Sequence, residues 1–158
     1  MHNFGQLDGL IHNASIIGTM MPIEQYDIKL WYSTIQINVN APFMLTQALI
    51  PALNKSNDAR VLFFSSSVGH TAKAYWGAYG VSKFAIEGMS KTLSEELEKT
   101  NIRVNSLDPG IMRTKMRQIA YPAENADNNP LPETKSPAIV YLMSEKTKKL
   151  NGERFVLF

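Results

Sequence analysis

Short apolar runs alternate with longer amphipathic segments along this chain, and this alternation constrains its fold more than any other feature. The β-prone runs are residues 7–12, 60–64, 102–107 and 154–158, and helical periodicity covers about 27–53, 78–98 and 137–143. Strands separated by helices of this length run parallel and are joined by right-handed crossovers. The order β-α-β-α-β-loop-α-β therefore predicts a doubly wound, parallel α/β sheet. Residues 111–136 are expected to form a long loop with a turn of helix near 114–119.

The composition excludes several classes of protein. The chain has 158 residues, 44% of them hydrophobic and 19% charged, which suits one globular domain. Its net charge of +2 comes from 16 basic and 14 acidic residues scattered along the chain, so no nucleic-acid partner is expected. The absence of cysteine excludes disulfides and favours a cytoplasmic location. No apolar run approaches the ~20 residues that span a bilayer, and the first residues do not resemble a signal peptide, so no membrane partner is expected.

Tyr79 and Lys83 carry the strongest chemical signal. If residues 78–98 are helical, their spacing puts the phenol and the ammonium on one face, one turn apart. A cation near a phenol favours the phenolate and lowers its pKa toward working pH. Ser66, thirteen residues before the tyrosine, could hold a substrate oxygen beside that proton donor. The pattern points to a carbonyl/alcohol oxidoreductase, although the pair alone could also belong to a solvated helix face.

Asn38 is marked out by Pro42, four residues later in the same predicted helix. Proline has no N–H, so it cannot donate to the carbonyl at position 38, and it is expected to kink the helix there. The alternative is that Pro42 ends one helix and a second one begins. His12 is expected to pack at a strand end and His70 to be a plain loop residue. The three histidines, with His2, are too few and too far apart for a metal site.

Several motifs occur together in a characteristic order. They are Asn13-Ala14 after a strand, Asn38 in a helix, Ser66 after the next strand, Tyr79-x-x-x-Lys83, and Pro109-Gly110 with Thr114. Jointly they resemble the short-chain dehydrogenases/reductases over roughly residues 7–158. Within that family, the likeness to the YciK-type bacterial oxidoreductases is carried by the runs Asn-Val-Asn-Ala, Phe-Met-Leu-Thr-Gln-Ala-Leu, Ser-Ser-Ser-Val-Gly and Trp-Gly-Ala-Tyr. The resemblance implies a Rossmann-like fold that binds NADP or NAD. It also implies hydride transfer between nicotinamide and the carbonyl or alcohol carbon of a small molecule.

The resemblance also implies catalytic roles. Tyr79 would be the acid/base that exchanges a proton with the substrate oxygen. Lys83 would lower the pKa of that phenol and hydrogen-bond the nicotinamide ribose. Ser66 is preferred over its neighbours Ser65 and Ser67, which suit ordinary turn chemistry. The backbone carbonyl of Asn38 would hold a water that extends a proton relay from the lysine.

Cofactor contacts are implied in two further segments. The implied cofactor-binding residues are Asn13, Ala14 and Ser15 on the adenosine side, Pro109, Gly110, Ile111 and Thr114 near the carboxamide, and Tyr79 and Lys83. Ser15 departs from the family pattern, which usually has glycine where the backbone approaches the cofactor. Met112, Met116, Ile119 and Tyr121 suggest an apolar lid without a diagnostic charge, so the substrate stays open.

The family's glycine-rich phosphate loop and the residue that selects NAD from NADP have no counterpart in this sequence. By resemblance, residues 1–158 form one partial domain that starts at the family's fourth strand. Alone, the chain is expected to bind NAD(P)H poorly and to turn over little. The alternative is a truncated, non-catalytic remnant or an association-only subunit. An epimerase or dehydratase is a third reading. A homodimer or homotetramer is implied for the intact family form.

Overall fold

The computed structural model describes residues 5–158, and His2 lies outside them. The four strands are β1 Gly9–His12, β2 Ala59–Phe64, β3 Ile102–Asp108 and β4 Arg154–Val156. The α-helices are α1 Ile28–Ile35, α2 Ala41–Leu53, α3 Gly77–Glu96, α4 Lys115–Ala120 and α5 Ser136–Leu142. Short 3-10 turns occupy Ile23–Gln25, Ser67–Gly69, Ala126–Asn128, Pro132–Lys135 and Glu145–Thr147. The predicted order of strands and helices is confirmed.

The strands form one parallel sheet in the order β1-β2-β3-β4. Its register pairs Gly9 with Arg60, Ala59 with Ile102, and Ser106 with Arg154. All four strands point the same way, so the loops that follow them meet at a single edge of the sheet.

The sheet is covered on both faces because successive residues of a strand point to opposite sides. The core on one face contains Ala59, Val61 and Phe63 of β2, Ile102 and Val104 of β3, Leu53 of α2, and Ile86 and Leu93 of α3. The core on the other face contains Leu62 of β2, Leu107 of β3 and Leu142 of α5. Two cores separated by one sheet are the hallmark of the predicted doubly wound fold.

The segment predicted as one helix over 27–53 contains an irregular turn. Asp27 caps α1, since its carboxylate accepts the backbone N–H groups of Lys29 and Leu30 at 2.8 and 2.9 Å. Between α1 and α2, residues Gln36–Asn40 form a π turn, in which the Ala41 N–H donates to the Gln36 carbonyl. The turn lies just before Pro42, which cannot donate to the carbonyls one turn back. The predicted disturbance at Asn38 is therefore present as a widened turn.

The long loop 111–136 contains more structure than its composition suggested. The predicted turn of helix is α4, which begins at Lys115. Thr114 caps it by accepting the Arg117 N–H at 3.1 Å. No helix within residues 5–158 combines the length and the apolar character needed to cross a membrane.

Candidate active site

A cavity of about 820 Å³ opens at the carboxyl edge of the sheet. The loops after all four strands contribute to it, which is where doubly wound sheets bind ligands. The sequence-predicted residues that line it are Asn13, Ala14, Ser15, Ser66, Tyr79, Lys83, Pro109, Gly110, Ile111 and Thr114. Asn38 is the one predicted site residue outside this lining.

Tyr79 and Ser66 meet at the end of β2. Ser66 leaves the strand in extended conformation, and the 3-10 turn Ser67–Gly69 follows it directly. Gly69 permits this turn, because a Cβ there would lie 2.7 Å from Ser65 Oγ and 2.9 Å from the Lys83 carbonyl oxygen. Tyr79 lies in the first turn of α3, where its ring packs on Trp76 at 5.7 Å between centroids.

Lys83 lies one turn further along α3 and is 4% exposed, whereas Tyr79 is 7% exposed. These values rule out the solvated helix face as an explanation for the pair. The Lys83 ammonium donates to the Phe64 carbonyl at 2.8 Å, and its Nζ lies 5.4 Å from the centre of the Tyr79 ring. The lysine therefore ties α3 to the end of β2.

The predicted lowering of the Tyr79 pKa by Lys83 stays a prediction, and the net shift of that pKa in this structure is upward. Burial raises the pKa of Tyr79 to about 12, the Ser66 hydroxyl opposes this rise, and the negative charge of Asp108 adds to it. Burial also lowers the pKa of Lys83 to about 8, against the raising effect of Glu87 and Asp108. The sequence spacing correctly indicated that the two groups are neighbours. It could not indicate how deeply the fold buries both groups.

Asn38 acts through its side chain and is 2% exposed. Its amide oxygen accepts the Ile16 N–H at 2.9 Å, and its amide nitrogen donates to the Ile16 carbonyl at 2.8 Å and to Ser82 Oγ at 3.0 Å. These three bonds fix the loop after β1 against α3. The water relay through its backbone carbonyl stays a prediction.

The loop after β1 presents polar groups to the cavity. Ser15 Oγ is buried and has no hydrogen-bond partner among residues 5–158. Just before this loop, His12 stacks on Phe63 at 4.7 Å, and its Nε2 is 2.8 Å from Thr46 Oγ1. His12 is therefore the strand-end packing residue that the sequence indicated. Burial lowers its pKa to about 4.

The loop after β3 is held by Asp108, a residue that was not among the predicted site residues. Its carboxylate accepts the Gly110 N–H at 3.0 Å and a hydrogen bond from Arg154 at 3.2 Å. Gly110 has φ +72°, a conformation that favours glycine, and a Cβ there would collide with the Leu157 carbonyl oxygen. An acidic residue at a strand end directly before Pro-Gly was the available signal for this position.

Lys73 and Trp76 are further lining residues that the sequence did not single out. Lys73 Nζ donates to the Tyr121 hydroxyl at 2.8 Å. Trp76 precedes Tyr79 by three residues, and helical spacing could have placed it on the same face. Of the predicted lid, Met112, Met116 and Tyr121 line the cavity, whereas Ile119 does not. His70 is exposed and lies outside the lining, as expected for a loop residue.

Comparisons with known proteins identify the family to which the chain belongs. The sequence model described as short chain dehydrogenase matches residues 1–125. The Escherichia coli K12 protein named uncharacterized oxidoreductase YciK is 42% identical over 97% of this chain and 60% of its own length. A Pseudomonas syringae structure assigned to the short chain dehydrogenases superposes with a TM-score of 0.96 at 52% identity, covering 98% of this chain and 63% of that one.

A further solved structure, an Escherichia coli CFT073 protein assigned to the same family, is described as complexed with NADPH. It is 42% identical with a TM-score of 0.95, over 98% of this chain and 64% of that one. The chain thus spans about 60% of the length of the curated relatives it matches. The resemblance inferred from the motifs, including that to YciK-type proteins, is confirmed. This chain belongs to the short chain dehydrogenase family of oxidoreductases.

Proposed function

We propose that the cavity serves an NAD(P)-dependent oxidoreductase that interconverts a carbonyl compound and its alcohol. One observation carries the proposal: Tyr79, Ser66 and Lys83 come together in a single cavity at the carboxyl edge of the sheet. The NADPH complex of the similar Escherichia coli CFT073 protein supports NADPH as the first cofactor to test, with NADH as the alternative.

The residues present fit a nicotinamide cofactor. Ser15 offers a buried hydroxyl without a protein partner at the cavity wall, where a ligand can supply the missing hydrogen bond. We propose that Asn13, Ala14 and Ser15 contact the adenosine side, and that the segment from Pro109 to Thr114 holds the carboxamide. When bound, the cofactor supplies or accepts the hydride at the substrate carbon.

The chain's own residues handle the proton. With a pKa of about 12, the Tyr79 phenol is protonated near neutral pH and can donate to a carbonyl oxygen as that oxygen gains charge. The Ser66 hydroxyl can donate a hydrogen bond to the same oxygen and hold it in place. The Lys83 ammonium, one turn away, then stabilises the phenolate that remains. Reprotonation through a water at the Asn38 carbonyl is part of the proposal.

We propose in addition that the intact protein is a homodimer or homotetramer. Large apolar side chains on α2 and α3 are 43–52% exposed: Phe43, Met44, Leu45, Val81 and Phe84. A shared apolar face of this kind suits a second copy of the chain. Light scattering that gives a monomer at micromolar concentration would contradict this. A cytoplasmic location stays a prediction.

The decisive experiment removes one oxygen atom, the phenolic oxygen of Tyr79. Tyr79→Phe keeps the ring that packs on Trp76 and removes the proton donor, so we expect an aldehyde reductase rate about 10³-fold lower with NADPH. Affinity for NADPH, measured by nicotinamide fluorescence, should change by less than about threefold. Tyr141→Phe, at an exposed position of α5 outside the cavity lining, is the matched control and should keep full activity.

Two outcomes would contradict the proposal. A Tyr79→Phe variant that retains more than a tenth of the rate would remove Tyr79 from the proton transfer. Cofactor binding is tested on a form extended upstream by the family's glycine-rich loop, because the chain alone is expected to bind NAD(P)H poorly. If that form neither binds NADPH or NADH nor reduces aldehydes, the association-only alternative is supported instead.

A further inference from the structure

One cation at the mouth of the cavity has no acidic partner within residues 5–158. Lys73 lines the cavity and belongs to the loop between β2 and α3. Its ammonium donates to a neutral group, the Tyr121 hydroxyl, and it takes part in none of the ion pairs. A cation placed this way attracts an anionic group of a ligand.

The other charged side chains of the lining are paired or buried. Asp108 pairs with Arg154, and Arg117 forms a bidentate pair with Glu124 at 2.6 and 2.7 Å. Lys83 is 4% exposed and donates to the Phe64 carbonyl. Their bonds within the chain leave them less free to bind a ligand charge. Lys73 is therefore the lining side chain best placed to neutralise an anion.

Aromatic rings connect Lys73 to the proposed catalytic tyrosine. The Trp76 ring lies 5.9 Å from Lys73 Nζ and 5.7 Å from the Tyr79 ring. The Tyr121 ring lies 6.1 Å from that of Trp76. Met116 packs, like Trp76, against the buried cluster that contains Tyr79. A molecule that reaches from Tyr79 to Lys73 would therefore run along flat, apolar surfaces.

The loop that carries Lys73 is held in a fixed conformation. Tyr75 adopts φ +70°, which is uncommon for a residue other than glycine. Its carbonyl accepts the Met21 N–H at 3.0 Å, which ties the loop to the segment after β1. Backbone strain of this kind persists where the surrounding structure maintains it, and it is concentrated at functional sites.

We propose that Lys73 is a specificity-determining residue that selects carbonyl substrates with a carboxylate on an aromatic or apolar body. The carboxylate would bind the Lys73 ammonium, while the carbonyl oxygen lies at Tyr79 and Ser66. This inference rests on the proposed function and narrows its substrate class.

The test compares 4-formylbenzoate with its methyl ester. The two molecules have the same aromatic aldehyde, and the ester has a methyl group in place of the negative charge. Trp31→Phe leaves Trp76 as the single tryptophan, since the chain has 2, so its fluorescence reports binding without turnover. We expect a dissociation constant about tenfold lower for the carboxylate, the size of one exposed charge-assisted hydrogen bond. Lys73→Met should abolish the preference and Lys73→Arg should keep it. Lys115→Met, on exposed α4, removes the same charge outside the cavity and should keep the preference.

Equal dissociation constants for the two aldehydes, or a preference that survives Lys73→Met, would overturn the inference. Its failure can be separated from a failure of the proposed function. Wild-type protein that reduces both aldehydes equally well would retain the function and lose the inference. A binding preference without NADPH-dependent reduction, when the form extended upstream by the glycine-rich loop is assayed, would identify an anion-binding site and contradict the proposed oxidoreductase.

Discussion

Among residues 5–158, buried polar groups are hydrogen-bonded at the amino edge of the sheet, whereas some of those at the carboxyl edge are unpaired. At the amino edge, Arg60 is 2% exposed, yet its guanidinium is bound by the Asp58 carboxylate, Thr147 Oγ1 and the Ser144 carbonyl. At the carboxyl edge, the cavity-lining residues Ser15 and Ser65 each have a buried Oγ without a hydrogen-bond partner in the described part of the chain. An unpaired buried polar atom costs free energy, so the carboxyl edge gives up stability that the amino edge retains.

This contrast indicates that the amino edge mainly stabilises the fold and the carboxyl edge mainly serves ligand binding. The amino edge closes the structure with long-range bonds, such as those from Asn151 to Val104 and Ser94 at 2.9 Å. The carboxyl edge leaves groups available for a ligand, and the strained Tyr75 lies beside it. Substitutions should therefore mainly change stability at the first edge and mainly change function at the second.

The largest effect on stability is expected from Asp58→Ala. It leaves the Arg60 charge buried without its carboxylate, which should lower the free energy of unfolding by about 3 kcal/mol. Urea denaturation measures this. Glu95→Ala is the matched control, because it breaks an exposed ion pair with Lys91 and should cost less than about 0.5 kcal/mol. Similar losses in the two variants would refute the special role of the amino edge.

His12 makes the carboxyl edge sensitive to acid. Its folded-state pKa is about 4 against 6.5 for the unfolded chain, so the unfolded state binds the proton first as pH falls. The contribution of His12 to the unfolding free energy is fully present well above pH 6.5 and is lost progressively toward pH 4. Between pH 8 and pH 5 we expect this residue alone to remove about 2 kcal/mol of unfolding free energy.

His12→Gln isolates this effect, since glutamine does not titrate and can still bond Thr46. Unfolding free energies from urea titrations at both pH values should fall by about 2 kcal/mol less in the variant than in the wild type. Parallel pH profiles would show that the imidazole is not held neutral by burial.

The smallest effect is expected from Ser65→Ala. Its hydroxyl has no hydrogen-bond partner among the residues that the structure describes, so removing it should change the unfolding free energy by less than about 0.5 kcal/mol, or stabilise the protein. Thr147→Val at the amino edge is the counterpart, because the single hydrogen of that hydroxyl is shared between the Leu142 and Ser144 carbonyls, each 2.9 Å from Oγ1. It should cost about 1 kcal/mol. Thermal denaturation measures both variants, and equal changes in their melting temperatures would contradict the difference between the two edges.

The sequence predicted features that depend on local spacing. The order of strands and helices followed from hydrophobic periodicity, and the proximity of Tyr79 and Lys83 followed from the helical repeat. The disturbance near Asn38 followed from the chemistry of proline at position 42. In each case the deciding residues lie within one or two turns of each other.

Features that depend on distant partners were not predictable in this way. Arg60 reads as part of a β-prone run, and its partners Ser144 and Thr147 lie more than eighty residues later. The pKa of Tyr79 is raised because burial, a property of the whole fold, outweighs the lowering effect of the hydrogen bond with Ser66. Lys73 acquires its position from Tyr121, across 48 residues of chain.

The π turn at Gln36–Asn40 sets the rotational phase of the helix around it. Buried residues recur there every fourth position, at Thr34, Asn38, Pro42 and Thr46. In an α-helix of about 3.6 residues per turn, such positions drift around the axis by roughly 40° at each step. The wider turn takes up part of that drift and keeps the row facing inward. One side of the helical segment can thereby bond both Ser82 through Asn38 and His12 through Thr46.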